Sequence, residues 1–520
     1  MAQRLPHARF VYPFFLLSFF LFPGAWGAAD AQEFLISSPA GGTAVDEPDV
    51  VFGGGQYFVV WTQAGNIYGS RVSPEASVLD PEGIKLPEYN PTFGGADLHP
   101  AVSFDGTNFV AAYQSSIFDY PCTFSHMRNL ILAARVSAAG VVQDASAVAV
   151  DSMCSISGGI LEPDLAFGGE NFLGVWAYYG LFIGSYAKGA VLTPELGASV
   201  FQIGPVVGDD LAVSLADPAV AFDGSNFLTA WSDKGDLISY RIYGARVAPD
   251  GTVVGSSRFP LTAAGSADSA APAVAFGSSV YLVAWTQAGS VRAARVSLEG
   301  TVLDPNGFVI GQGSGAAVSH DGANFLVVWA ASSPSVAIYG ATVTAAGEVG
   351  GAEPISTEGV TAQSPSVDFD GERFLVCWKR DAGGEVDIYG ALVETSACTD
   401  LDGDGYGNPE DAACPHPEAD CDDDPADDPA ACPSQGGTCT CGQSACAGCA
   451  ACIHPGAADF ANDAWDSNCD GLEPGYPATA NAAAAQYGSS SLTGSGLLNE
   501  LALVLLPAGA VLLLRRSRRK

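Results

Sequence analysis

PAVAFDGSNFLTAW, residues 218–231, is the clearest copy of a unit that runs through most of the chain. Apolar residues alternate on either side of its Asp-Gly pair, the period-two signature of two short strands joined by a tight turn. PAVSFDGTNFVAAY (100–113) and PSVDFDGERFLVCW (365–378) repeat it closely, and looser copies end at Trp61, Trp176, Trp285 and Trp329. The seven aromatic anchors lie 44 to 63 residues apart. A second half follows in most copies: IYGSRV from Ile67, IYGARV from Ile242, IYGATV from Ile338 and IYGALV from Ile388, each continuing into a Gly turn and a short apolar strand. Four strands per unit, seven times over, predict an all-β chain folded as a seven-bladed β-propeller over residues 32–397.

Details of the repeat carry further expectations. Asp105, Asp223, Asp321 and Asp370, each followed by Gly, read as turn formers in type I′ hairpins rather than as ligands. Arg71, Arg135, Arg246 and Arg295 share one repeat position on the third strand, away from the axis, which suits blade packing. The last copy lacks a fourth strand, and Phe34–Ser37, ahead of the first copy, matches one, so the amino-terminal segment is expected to close the ring. Cys122 and Cys154 fall in two loops on the same face of the second blade and should form a disulfide. Cys377, inside FLVCW, reads as a buried free thiol.

The segment 398–473 is different in kind, rich in Asp and Cys. In DLDGDGYGNPED, Asp400, Asp402 and Asp404 alternate, Tyr406 offers a backbone carbonyl at position seven, and Asp411 closes at position twelve. Hard oxygens at that spacing around a glycine turn are the ligand grammar of Ca2+. A partial copy holds Asp466, Asn468 and Asp470. Ten of the thirteen cysteines lie between Cys398 and Cys469, pointing to disulfide staples in a small irregular calcium-binding module.

This tail is similar to a metal-binding repeat of bacterial surface proteins, including copper-responsive outer-surface proteins, with the signature DxDGDGYG, DCDD, PGAxE, DxNCDG. The matching elements are Asp400–Gly407, Asp420-Cys421-Asp422-Asp423, Pro455–Asp459 and Asp466–Gly471, with Asp459 in place of Glu and a cysteine-rich insert from Asp424 to Ile453. The resemblance implies a divalent metal held with the help of Asp420, Asp422 and Asp423. The all-oxygen ligand set favours calcium over copper.

The ends supply an address. Residues 1–31 read as a secretory signal, with Arg4 and Arg9 before an apolar run. Residues 474–496 read as a flexible spacer, 497–514 as a hydrophobic helix and 515–520 as a basic cytoplasmic tail. That arrangement resembles the carboxy-terminal sorting signals of bacterial surface proteins, which implies an exported protein at the cell surface, held by a helix open to processing. A net charge of −36 leaves no basic face for nucleic acid.

Neither a G-x-S-x-G elbow nor H-E-x-x-H occurs. The Asp-Gly hairpins echo the aspartate boxes of sialidases, which are structural turns. The favoured expectation is a monomeric, non-enzymatic, calcium-binding propeller that serves adhesion, matrix contact or capture of an extracellular protein or glycan. The alternative is a secreted carbohydrate-active hydrolase, sialidase-like or a paired-carboxylate glycosidase. Clustered Asp, Glu, His or Arg at the mouth of the ring separates the two, since a scaffold has no need of them.

Overall fold

The structure is a computed structural model that describes residues 32–37, 45–89, 95–118, 122, 127–154, 158–180, 184–207, 215–234, 239–263, 265–333, 335–394, 406–407 and 416–419. Among them the repeat forms seven four-stranded antiparallel sheets. The first strand of each sheet is the innermost: Val45–Gly53, Gly95–Phe104, Gly159–Phe167, Leu215–Phe222, Ser269–Gly277, Ser314–His320 and Thr361–Phe369. Residues from all seven line one axial cavity of about 870 Å³. This is the seven-bladed propeller that the repeat predicts.

Burial of the anchors holds the sheets face to face. Trp61, Tyr113, Trp176, Trp231, Trp285, Trp329 and Trp378 are all fully buried. Trp61, for instance, packs in a cluster that includes Leu375, Cys377 and Ile388 of the last blade. Cys377 is the buried free thiol expected. The ring closes as the terminal segment suggests: Phe34–Ser37 pairs antiparallel with Val386–Val393 and is the fourth strand of the last sheet.

One detail of the turns differs from expectation. At Asp105, Asp223, Asp321 and Asp370 only the following glycine has a positive φ, between 90° and 105°, and the residue after it does not. Type I′ needs a positive φ at both central positions, so these turns are not I′. The aspartates do form the turns: Asp105 Oδ1 accepts from the Thr107 and Asn108 N–H groups at 2.7 and 2.6 Å. The double positive φ of type I′ occurs instead where Asp-Gly is absent, at Gly54-Gly55 and Ser278-Ser279.

Three of the four repeated arginines link blades. Arg71 pairs with Asp80, Arg135 with Asp144 and Arg295 with Asp304. Each also donates through Nη1 to a carbonyl of the next blade: Ala138, Pro194 and Ala345. Gly140 and Gly347 sit against Arg71 and Arg295 so closely that a Cβ would meet the guanidinium at 2.8 and 3.0 Å. Truncating Arg295 takes the guanidinium from Asp304 and from the Ala345 carbonyl, and leaves Asp304 only the backbone N–H of residue 295 at 3.0 Å. Arg295→Ala should therefore cost about 1–3 kcal/mol in urea unfolding, and a midpoint unchanged from wild type would show that the link is ornamental. Cys122 and Cys154 are bonded as expected, with Cα atoms 5.3 Å apart.

Candidate functional site at the axial mouth

Every innermost strand breaks register once near its start, between Asp46/Asp49, Leu98/Ala101, Leu161/Asp164, Ala216/Ala219, Ala270/Ala273, Ser314/Ala317 and Gln363/Ser366. The residue within each bulge is left-handed: Glu47 (φ 55°), His99 (50°), Glu162 (54°), Asp217 (49°), Ala271 (50°), Gly315 (64°) and Ser364 (51°). Pro follows all but Gly315. Non-glycine residues adopt this conformation at a cost. Its recurrence in every blade makes it a property of the ring. The side chains are not equivalent, however. Blades one to four contribute Glu, His, Glu and Asp, a crescent of titratable groups, while blades five to seven contribute Ala, Gly and Ser.

A bulge in an innermost strand leaves a backbone N–H without a ladder partner, and such a group needs an acceptor. In five of the seven blades the preceding blade supplies it, whereas the Glu47 N–H bonds Asp46 Oδ1 of its own strand at 2.9 Å. Glu47 Oε2 accepts the His99 N–H at 2.9 Å, Glu162 Oε2 the Asp217 N–H at 2.8 Å, and Asp217 Oδ2 the Ala271 N–H at 3.1 Å. Where the mouth residue supplies no such acceptor, the residue after the aromatic anchor takes over. Gln114 Oε1 accepts the Glu162 N–H at 3.0 Å, and Thr286 Oγ1 the Gly315 N–H at 3.1 Å. One oxygen of each carboxylate thus has a structural duty. The rest of the crescent does not.

The crescent is electrostatically coupled. His99 Nδ1 lies 2.9 Å from Glu47 Oε1. Burial alone would lower the imidazole's pKa, but the Glu47 carboxylate, helped by the charges of Glu162 and Asp217, raises it overall. Burial pushes Glu47 up, and the bonds and charge of His99 overcome this and leave it below the ordinary glutamate value. Glu162 is raised, by burial first and then by the Asp217 charge beside it. Asp217 is raised too, chiefly by burial. Two neighbouring acids that share a partly dry site resist joint ionisation. Among the described residues the cavity lining contains no Lys or Arg.

Below the mouth a second set of acids ties blades together. Asp49 Oδ2 accepts from Val102 N–H at 2.8 Å, Asp164 Oδ2 from Val220 N–H at 2.7 Å, and Asp368 Oδ2 from Phe52 N–H at 2.7 Å. Burial raises Asp164 to about 7 and Asp368 to about 6. These values bear on stability. An acid whose folded pKa exceeds its unfolded one stays protonated longest in the native state, so stability falls as pH rises from about 4 through the folded value. Asp368→Asn removes the titration and keeps both bonds, because the Ser319 hydroxyl at 3.2 Å can turn to accept. The variant should match wild type at pH 4 and exceed it by about 1–3 kcal/mol at pH 8. Equal urea midpoints at pH 8 would contradict this.

A second pair, Ser278 Oγ and His320 Nε2 at 3.1 Å, is oriented against nucleophilic use. His320 Nδ1 accepts from the Gly322 N–H at 2.9 Å, so neutral His320 carries its proton on Nε2 and cannot take one from the serine. Its ring stacks edge-on against Phe325 at 4.7 Å.

Of the residues read from sequence as metal ligands, Tyr406 alone lies among the described residues, bridged in parallel to His416. Asp400, Asp402, Asp404, Asp411, Asp420, Asp422, Asp423, Asp466, Asn468 and Asp470 lie outside them, as do the expected signal, spacer, hydrophobic helix and basic tail. Among the described residues no helix is long and apolar enough to cross a membrane. The crescent itself escaped the reading of the repeat, although Glu-Pro, His-Pro, Glu-Pro and Asp-Pro open four consecutive copies.

No family model matches the chain, and no curated protein matches it. Among solved structures it is similar to a mutant α-L-arabinofuranosidase of Fusarium graminearum bound to an iminosugar inhibitor, at 13% identity and a TM-score of 0.40, covering 60% of this chain and 97% of that one. It is also similar to a Penicillium chrysogenum α-L-arabinanase complexed with arabinobiose, at 11% identity and a TM-score of 0.39, covering 60% and 96%. A Trypanosoma rangeli sialidase in complex with the inhibitor DANA matches at 8% and 0.36, covering 67% of this chain and 55% of that one. Likeness at this level carries nothing about activity, and the propeller rests on its own seven sheets.

Proposed function

We propose that the axial mouth is an acid–base site that hydrolyses a neutral saccharide, the paired-carboxylate alternative to a purely adhesive scaffold. The observation that carries this reading is the asymmetry of the crescent. Seven equivalent positions need only an acceptor for one N–H each, yet four consecutive ones hold Glu, His, Glu and Asp. The titratable groups of this one cavity are shifted from their ordinary values, Glu47 down and His99 and Glu162 up, as acid–base chemistry requires. A hydroxyl-rich, uncharged ligand suits carboxylates that accept hydrogen bonds. A lining that holds acids and no Lys or Arg among the described residues disfavours an anionic sugar, and so the sialidase-like form of the alternative. Export, display at the cell surface and a Ca2+-ordered tail built on Asp400–Asp411 belong to the same proposal and rest on the sequence alone.

The test is a panel of 4-nitrophenyl glycosides of neutral pentoses and hexoses, with a 4-methylumbelliferyl sialoside beside it. Turnover of at least one neutral member and none of the sialoside is expected. No turnover of any neutral member between pH 4 and 8 would return the propeller to a binding role.

A further inference from the structure

Three members of the crescent are explained in part by the ring. Glu47, Glu162 and Asp217 each spend an oxygen on the bulge N–H of the next blade. His99 does not: the N–H it would have to satisfy, that of Glu162, is taken by Gln114. Among the four described crescent residues the imidazole is therefore the one titratable side chain whose presence the architecture does not require. It is nevertheless positioned. Its Nδ1 is held by Glu47 Oε1 at 2.9 Å, while its backbone N–H is held by Glu47 Oε2 at 2.9 Å. One carboxylate fixes both ends of the residue, and Nε2 has no hydrogen-bond partner among the described residues.

From this we infer that His99 is the proton donor to the leaving group, with Glu47 as its positioning residue and Glu162, supported by Asp217, as the proton acceptor. The inference rests on the hydrolytic reading of the same site. The charges that face His99 from the neighbouring strands are those of Glu47, Glu162 and Asp217, all acidic, and each favours imidazolium over imidazole. In the step itself the Nε2 proton passes to the glycosidic oxygen as the bond from that oxygen to the anomeric carbon breaks. A water oxygen forms the new bond to the same carbon and gives its proton to Glu162. One water is consumed, each fragment ends in a hydroxyl, and solvent returns the proton from Glu162 to His99. Glu47 favours the protonated imidazole that donates, and burial beside the Asp217 charge makes Glu162 the more avid acceptor.

Leaving-group dependence tests the assignment. A 2,4-dinitrophenolate leaves without protonation, whereas a methoxide does not. His99→Ala should lower turnover of the methyl glycoside of the cleaved sugar about 10²–10⁴-fold and that of its 2,4-dinitrophenyl glycoside less than about 10-fold. The alkaline limb of the pH profile should disappear with it. His99→Gln, which can still bond to Glu47, guards against misfolding and should behave in the same way. Equal losses on both substrates, or no loss on either, would overturn the role of His99 while leaving the hydrolytic reading in place. A wild-type protein inactive on both substrates would overturn both.

Discussion

A chain lacking residues 33–37 should unfold several kcal/mol more easily than the full ring and should self-associate. Phe34 and Leu35 pair with Gly390 and Tyr389, and Ser37 with Ile388, so among the described residues this strand alone ladders to the outer edge of the last sheet. Ile36 is 2% exposed and packs with Val45, Tyr57 and Trp61 of the first blade. Gly390 is bare to admit it, since a Cβ there would lie 2.8 Å from Ile36 and 3.2 Å from Phe34. Glu33 adds a bond to Arg380 at 3.1 Å and accepts from the Thr357 N–H. Loss of the buried Ile36 side chain alone should cost about 1.5–3 kcal/mol, with Phe34 and the ladder on top. The exposed edge of Val386–Val393 would then offer unpaired backbone to another copy. Urea unfolding and gel filtration of the truncated chain check both parts. A monomer with an unchanged midpoint would mean that the ends do not lock the ring.

Glu162→Gln should reduce turnover about 10²–10⁴-fold on good and poor leaving groups alike, with stability near that of wild type. The amide oxygen can still accept the Asp217 N–H, so the structural duty survives. What is lost is a base that burial and Asp217 have made more avid for protons. Steady-state kinetics beside a thermal melt separates the two effects. A variant as active as wild type would remove Glu162 from the chemistry.

How much of this was legible in the sequence follows from what each residue does. Strand alternation and the buried anchors repeat because every blade solves the same packing problem, so Trp61 through Trp378 announce the ring and its count. The closing strand was visible through an incomplete last copy. The Cys122–Cys154 link was visible because both loops leave one face of a meander. The turn class was missed because Asp-Gly suits I′ by composition, while the two hydrogen bonds to Asp105 Oδ1 stabilise a geometry with one left-handed residue. The partners of the arginines were missed for another reason. Asp80, Asp144 and Asp304 stand nine positions after Arg71, Arg135 and Arg295, across a turn that alternation does not register.

The mouth was the hardest part. His99, read alone, is one of six scattered histidines. Its meaning comes from a bulge that aligns it with Glu47, Glu162 and Asp217, residues 52, 63 and 118 positions away. Only ring closure makes them neighbours. The aligned dipeptides before each repeat held that information, but their significance depended on knowing that this position faces the axis.

The dependence of kcat/KM on pH, for the neutral glycoside that the wild-type protein cleaves best, tests the central claim most directly. The account predicts a bell. Its rising limb reports ionisation of the Glu162–Asp217 pair and should vanish in Glu162→Gln, and its falling limb reports loss of the His99 proton at a pH above the ordinary imidazole value. A profile that stays flat from pH 4 to 9, or one whose limbs survive both Glu162→Gln and His99→Ala, would contradict it.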